Sequence, residues 1–398
     1  MKGKRWDLLA LASIPLLMTL GNSMLIPVLP LMEREINISS FQSSFIITIY
    51  SVIAIPLIPI SGYLSDRLGR KKVIIPSLII VAIGGAISAV AAWKLKDPFL
   101  VILIGRFIQG MGASGAFPVV LPAVGDMFKD EEEVSKGLGI IETANTFGKV
   151  LSPILGALLA VVLWYLPFIA IPLLSLIAII LVLWLVKVPP EEGEEEKKTL
   201  KEFLHLLKDL FQKNSHWLTT IFLTGGIFMF VLFGFLFHFA NILEDDFERY
   251  GMAKGLLLAV PLLFLCIASY LSGWKVGREQ RRMKAMIIIG NALAVAAFFI
   301  IRLDNSLVQY LLWLTLAGIG IGLALPCLDA FITEGVPKEE RGTITALYSS
   351  MRFVGVAAGP PVVALLMRSD TPFLYTVFAC CCLISLAMNW WLIKPDSC

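Results

Sequence analysis

Long apolar runs separated by short polar segments dominate this sequence. A helix needs about 20 consecutive apolar residues to cross the hydrocarbon core of a bilayer. By that length the pattern predicts an all-α integral membrane protein with twelve transmembrane helices. The predicted spans are 7–31, 41–63, 73–93, 99–124, 136–162, 164–187, 216–243, 253–273, 284–302, 307–331, 343–367 and 371–394.

The longest polar segment divides the chain near its middle. Residues 188–199 read VPPEEGEEEKKT, and such a density of charge argues against burial. The residues that follow, up to 215, place apolar side chains at helical spacing, which predicts an amphipathic helix on the membrane surface; a partly ordered linker is the alternative. We therefore expect a first six-helix bundle over 1–187, a cytosolic linker over 188–215 and a second bundle over 216–398.

The two halves repeat weakly in sequence. A shift of 208 residues places Gly110, Gly112 and Pro118 on Gly318, Gly320 and Pro326, and a shift of 207 places Gly148 and Pro153 on Gly355 and Pro360. Spans four and five thus correspond to spans ten and eleven. Parallel repeats of this kind are typical of transporters that bind their substrate between two halves.

Composition and charge agree with a membrane protein. The chain is 58% hydrophobic and 16% charged, whereas a soluble chain carries about 25% charged residues. Lys and Arg concentrate in the segments that are cytosolic if the N-terminus is cytosolic, so both termini are predicted to lie in the cytosol. The cysteines lie mostly within apolar runs, without metal-ligand spacing, and no cofactor, metal or nucleic acid is expected.

The polar segment after the second span carries the most specific motif. Residues 62–73, here called the signature loop, read GYLSDRLGRKKV. This segment resembles the signature of the major facilitator superfamily, G-x-L-(A/S)-D-R-x-G-R-(K/R)-(K/R). The matching residues are Gly62, Leu64, Ser65, Asp66, Arg67, Gly69, Arg70, Lys71 and Lys72.

The resemblance implies a gate at the cytosolic side. In this family the loop's acidic residue, here Asp66, meets the start of span eleven, near Gly342 and Thr343. Arg70 would bridge to Asp126 at the end of span four. A carboxylate near a helix N-terminus is stabilising, and these contacts are expected to form when the cytosolic side is closed.

Spans four and five carry two further resemblances. Arg106, Gln109, Gly110 and Gly112 resemble the fourth-span motif of proton-coupled transporters, R-x-x-Q-G-x-g-a. The run GMGASG within it also reads as a dinucleotide fingerprint, but it lies inside an apolar span, so close helix packing is the better interpretation.

The fifth span resembles the antiporter motif G-x-x-x-G-P-x-x-G-G through Gly148, Pro153 and Gly156. Ser152 and Ala157 depart from that motif, and both are small. The motif is found in exporters rather than importers. A merely kinked helix is the alternative.

Charged residues inside the spans indicate a polar cavity, because each costs several kcal/mol in a bilayer unless it meets a partner or water. Arg106, Lys149 and Arg352 outnumber Glu142 and Asp329. Asn145 shares a helix face with Glu142 and Lys149. We therefore expect a cavity for an anionic or zwitterionic group, lined by Arg106, Gln109, Asn145, Lys149 and Arg352. Structural ion pairs, such as Glu142 with Lys149, are the alternative.

The proton carrier of such a transporter must be a group that alternates between wet and dry surroundings. Glu142 is the deepest carboxylate in the chain, and Asp329 is the next candidate. The sequence gives only a slight preference for Glu142.

The resemblance is closest to the bacterial drug:H⁺ antiporters. It predicts a proton-coupled secondary transporter that exports an amphipathic small molecule, such as a drug, siderophore or lipid-like product, by alternating access. A proton-coupled importer of an organic anion is the alternative, and a membrane enzyme or sensor a remote one. The protein is expected to be a monomer, with substrate, protons and the bilayer as its partners, and to cross the cell membrane many times.

Overall fold

The computed structural model describes residues 4–128, 131–186, 215–276, 279–301, 306–336, 338–367 and 371–393. The proposed linker with its amphipathic helix lies outside the described residues, apart from its last position. Within the described ranges the chain forms α-helices and one short 3-10 turn. The helices are α1 Arg5–Ser23, α2 Leu29–Glu35, α3 Ser40–Leu68, α4 Arg70–Lys94, α5 Phe99–Met127, α6 Glu131–Val162, α7 Leu166–Leu185, α8 Ser215–Asp245, α9 Gly251–Val276, α10 Gln280–Ile301, α11 Leu307–Gly335, α12 Lys338–Leu366 and α13 Thr371–Leu392.

Twelve segments of the described chain are long and apolar enough to cross a membrane. The first combines α1, the 3-10 turn Ile26–Val28 and α2, and α3–α13 form the others. The predicted all-α fold is confirmed: α1–α7 form a first six-span bundle and α8–α13 form a second. Because the spans alternate in direction, the start of α1 and the end of α13 share one face, here called the terminal face, and the other is the opposite face.

Local signals set the helix boundaries. Ser39 caps α3: its Oγ accepts from the backbone nitrogen of Gln42 over 3.2 Å, and the Gln42 side chain accepts from the Ser39 nitrogen over 2.9 Å. Gly69, with φ of 98°, separates α3 from α4. That backbone conformation favours glycine, so the signature loop can turn within a single residue.

The outer surface suits a bilayer. Tryptophans that are exposed mark the ends of several helices at the terminal face, where amphipathic rings favour the boundary between lipid and water. These are Trp6, Trp184, Trp274 and Trp391. Large aliphatic side chains are exposed between the helix ends, as expected for surfaces that contact lipid.

The two bundles meet along two helix pairs, α3 with α12 and α6 with α9. Thr48 Oγ1 of α3 donates to the carbonyl oxygen of Ala357 in α12 over 2.8 Å. Gly255 of α9 lies against the backbone of Pro153 in α6, so closely that a Cβ at this glycine would lie 2.6 Å from the Pro153 carbonyl oxygen. The halves are therefore packed together on the side of the opposite face.

Candidate functional site: the cavity between the two bundles

The signature loop is organised around Arg70. Arg70 Nε donates to Asp126 Oδ2 over 2.8 Å, Nη1 donates to Ser65 Oγ over 2.7 Å, and Nη1 also pairs with Asp66. The contact between Arg70 and Asp126 is the one that the resemblance implied. Since both residues belong to the first bundle, this pair alone does not join the two halves, and its gating role stays a prediction.

The other residues of the loop have distinct surroundings. The Asp66 side chain is 63% exposed, and its approach to α12 stays a prediction. Arg67 is exposed and donates to the Tyr63 hydroxyl over 3.5 Å. Gly62 faces α12, because a Cβ there would lie 3.9 Å from Ala346 Cβ.

Lys71 has a role that the sequence pattern did not indicate. Its Nζ donates to the carbonyl oxygens of Leu183 and Val186 over 3.0 and 2.9 Å. These carbonyls lie at the end of α7, where the helix dipole favours a cation. The loop is thereby tied to the last helix of its own bundle.

Arg106 is fully buried in the first bundle. Its Nε donates to Ile46 O over 2.8 Å and its Nη1 to Gln109 Oε1 over 2.7 Å. Nη1 also lies 3.3 Å from Gly21 O, and Nη2 donates to Asn22 Oδ1. All three guanidinium nitrogens thus bond to protein atoms of α1, α3 and α5.

The Tyr50 ring lies 4.5 Å from the Arg106 guanidinium carbon, close enough for a cation–π contact. Together with the hydrogen bonds, this contact favours a bracing role for Arg106 and Gln109 over the predicted place in the substrate cavity. The charge argument for the cavity then depends on the remaining charged residues.

The small residues of span four serve close packing, as the sequence interpretation proposed. A Cβ at Gly110 would collide with the backbone of Tyr50 in α3, and one at Gly112 would collide with Ser77 in α4. The equivalent glycines of the second half behave alike: Gly318 lies against Pro261 in α9 and Gly320 against Gly290 in α10. The repeat in sequence is therefore a repeat in contacts.

The residues of the fifth-span motif hold α6 against α1. Gly148 lies beside the backbone of Leu16, and a Cβ at Gly156 would overlap the backbone of Met24. Pro153 lies within α6, at the level where Gly255 of the second bundle approaches. These contacts agree with a packing role, and the motif's link to export direction stays a prediction at the residue level.

Four charged side chains converge between the bundles, here called the central charge cluster: Glu142 and Lys149 from α6, Asp329 from α11 and Arg352 from α12. Lys149 lies within electrostatic range of the other three. Arg352 Nη1 is 3.6 Å from Asp329 Oδ1, so this pair forms within the second bundle.

Glu142 is held by the neighbouring polar residues of the first bundle. Its two carboxylate oxygens accept from Asn145 Nδ2 over 3.3 Å each. Asn145 Oδ1 in turn accepts from Thr19 Oγ1 over 2.6 Å. Glu142 and Asn145 therefore share a face of α6, as predicted, and are linked to α1.

Lys149 differs from the other members of the central charge cluster. Its side chain is buried, and Nζ makes no hydrogen bond with any residue that the structure describes. The alternative of a structural pair with Glu142 is thus not supported by a contact. An ammonium without such partners is costly in a dry interior.

The Lys149 side chain borders a small pocket between the bundles. Ser23 and Ser152 supply the other polar side chains, and the wall from the second bundle is apolar. That wall consists of Leu232, Phe233 and Leu236 of α8 and Leu258 and Leu262 of α9. The pocket thus combines one cation with an apolar surface, which suits an amphipathic anion.

A second charged cluster lies at the opposite face, here called the opposite-face cluster: Arg34 of α2, Glu244 of α8 and Lys254 of α9. Glu244 pairs with Arg34 and with Lys254, and both Glu244 and Lys254 are almost completely buried. Sequence reasoning missed this cluster, because each residue lies at the end of a span, where charges are usually solvated. The pairing between spans gives no signal in a single sequence.

Comparison with known proteins decides the family. The model of the Major Facilitator Superfamily matches residues 11–360 and 305–397. The chain belongs to this superfamily. It is 50% identical over 381 residues to the "Bacillibactin exporter" of Bacillus subtilis (strain 168), covering 96% of this chain and 94% of that protein.

A more distant relative is named for drug resistance. The chain is 26% identical over 367 residues to "Tetracycline resistance protein, class C" of Escherichia coli, covering 88% and 87% of the two chains. Among solved structures, the human organic anion transporter MFSD10 superposes with a TM-score of 0.76 at 20% identity, covering 97% and 99%. That likeness shows the fold.

These findings confirm the predicted class of function. The protein is an efflux transporter of the superfamily, with its spans in the cell membrane. Its relatives are transporters and not enzymes. The cavity between the bundles, with the central charge cluster, is accordingly the candidate substrate site.

Proposed function

We propose that this protein exports a siderophore-like anion, with bacillibactin as the first candidate, in exchange for protons. The buried Lys149 ammonium, without a hydrogen bond to the described protein, carries this proposal. An anionic group of the substrate would supply a partner for this ammonium. Charge-assisted hydrogen bonds of that kind are stronger than hydrogen bonds between neutral groups. The high identity to the bacillibactin exporter supports the same substrate.

The remaining central charges fit an exchange of substrate for protons. Glu142 and Asp329 are carboxylates that interact electrostatically with Lys149. A carboxylate and a bound anion compete for the same cation, so binding of the anion to Lys149 changes the affinity of Glu142 or Asp329 for a proton. Substrate binding and proton binding would then be linked through the charge of one cavity, as coupling requires.

The position of the termini completes the proposal. The excess of Lys and Arg in the signature loop and in the other segments of the terminal face supports a cytosolic location of that face. The opposite face would then receive protons from outside the cell. The protein is proposed to act as a monomer, since the cavity lies within one chain.

Transport into proteoliposomes with a pH gradient tests this function. Exchange predicts that bacillibactin accumulates when the vesicle interior is acidic, and a collapsed gradient should abolish that accumulation. Accumulation with an acidic exterior would instead indicate cotransport, the importer alternative. Tetraphenylphosphonium, a lipophilic cation, serves as the comparison; preference for it over bacillibactin would contradict an anion site.

Removing the candidate proton carriers should uncouple the cycle. Glu142→Gln and Asp329→Asn are expected to lower gradient-driven accumulation of bacillibactin by about tenfold, within the usual range of coupling free energies. Exchange of labelled for unlabelled bacillibactin without a gradient should persist, because that exchange needs no net proton movement. The measurement compares these two rates for each variant.

A matched control is Glu248→Gln, which removes an exposed carboxylate at the opposite face. It should leave both rates unchanged. If Glu142→Gln and Asp329→Asn both retain full gradient-driven accumulation, neither carboxylate carries the proton.

A further inference from the structure

The opposite-face cluster joins the two bundles through buried charge. Arg34 belongs to the first bundle, whereas Glu244 and Lys254 belong to the second. The Arg34 guanidinium also lies 5.5 Å from the Tyr250 ring. Because Glu244 is buried between a cation of each bundle, its carboxylate is a direct link across the halves at this face. The pairing with Arg34 has to break whenever this face opens.

The surroundings of Glu244 determine what the loss of its charge does. The charged groups that face it are Arg34 from α2 and Lys254 from α9, with Glu33 and Asp245 acting on Lys254 as further acids. Tyr250 Oη donates to the Glu244 carbonyl oxygen over 3.3 Å, so this tyrosine contacts the backbone.

Glu33 is engaged elsewhere in the same region. Its carboxylate accepts from Ser40 Oγ over 2.6 Å and from Ser43 Oγ over 2.5 Å, both in α3 of its own bundle. Glu33 therefore does not replace Glu244 as a link between the halves. With Glu244 neutral, Arg34 and Lys254 would face each other as like charges from different bundles, and that repulsion favours separation.

We propose that Glu244 is a proton-coupling residue, whose protonation from the opposite face releases Arg34 and Lys254 and lets the two bundles separate there. This assignment rests on the proposed exchange of substrate for protons. Glu244 would be the first buried carboxylate that a proton entering from the opposite face meets, ahead of the central charge cluster. The balance is simple: one proton binds, the carboxylate becomes neutral, and the pairing across the bundles is lost.

The decisive measurement is the distance between the bundles as a function of pH. Spin labels are attached at Lys96→Cys, in the loop between α4 and α5, and at Val308→Cys, in α11, after all native cysteines are replaced by alanine. Both positions are exposed and lie at the opposite face, one in each bundle. Pulsed electron–electron double resonance in lipid nanodiscs then gives the distribution of distances between the two spin labels.

The parent chain is the spin-labelled protein without further substitution. When the pH is lowered from about 8 to about 5, its ratio of the long-distance to the short-distance population should rise about tenfold. Glu244→Gln should show the long-distance population already at the higher pH, with little further response. Asp246→Asn removes an exposed carboxylate two residues away and should behave like the parent. Arg34→Gln, at a half-exposed side chain, should also raise the long-distance population at the higher pH.

A parent distribution that is insensitive to pH would overturn the proposal, as would a Glu244→Gln distribution and pH response equal to those of the parent. Should Glu244→Gln fail to insert, Arg34→Gln decides by itself: no shift at the higher pH contradicts the link. Substrate is absent from this experiment. A negative result for Glu244 can therefore be distinguished from a failure of the protein to transport bacillibactin.

Discussion

Replacing Lys149 with methionine is expected to lower bacillibactin transport strongly while making the protein more resistant to thermal unfolding. The Lys149 ammonium is buried and without a hydrogen bond to the described residues. Methionine fills a similar volume without charge, so the desolvation cost of the cation disappears, a gain of about 1–3 kcal/mol. The anion site disappears with it, and transport should fall by about tenfold or more.

Two measurements on one variant make this prediction sharp. The rate of bacillibactin accumulation in proteoliposomes reports the site, and the unfolding temperature in detergent reports stability. Lys149→Arg keeps the charge and should retain part of the transport. Lys94→Met, which removes an exposed lysine, should change neither quantity. A Lys149→Met protein that transports normally and unfolds at a lower temperature would mean that Lys149 serves structure and not substrate.

Replacing Arg106 with methionine is expected to have the opposite effect on stability, because it should lower the unfolding temperature. The loss of its guanidinium leaves the amide oxygens of Gln109 and Asn22 buried without their donor. Each unsatisfied buried acceptor costs about 1–3 kcal/mol, so a total of about 2–6 kcal/mol is expected for the two. Transport should be lost because the first bundle is loosened, not because a substrate contact is removed.

The measurement is again the unfolding temperature in detergent, together with the amount of protein in the membrane. Arg106→Lys keeps the charge but not the planar set of donors, and should be intermediate. Arg67→Met, at an exposed position of the signature loop, is the matched control for stability. If Arg106→Met keeps full stability and loses bacillibactin transport alone, Arg106 belongs to the substrate site after all.

The spans and the repeat were predictable from the sequence because both follow from local patterns. The length of each apolar run fixes a span, and the spacing of Gly110 and Gly112 recurs in the second half. The glycines of GMGASG form a packing surface, as their place inside an apolar span indicates, because they lie against α3 and α4. Such features depend on the sequence of a single helix and on its helical periodicity.

The pairing of charges was not predictable to the same extent. The sequence identified Arg106, Lys149 and Arg352 as deep cations, but only the packed helices show which partner each one has. Arg106 bonds to amide and carbonyl oxygens, and Arg352 lies near Asp329. Lys149 makes no such contact with the residues that the structure describes. Partner choice depends on how distant helices rotate against each other, which no local period encodes.

The matched glycines bear on how this chain can diverge. Gly110 and Gly318 each lie against the backbone of the corresponding neighbouring helix, and so do Gly112 and Gly320. Any side chain at one of these positions meets the same obstacle in either half. Substitutions should therefore be poorly tolerated at both members of each glycine pair. The two halves can diverge in charge and in the side chains of the pocket, while these paired contact positions keep their small residues.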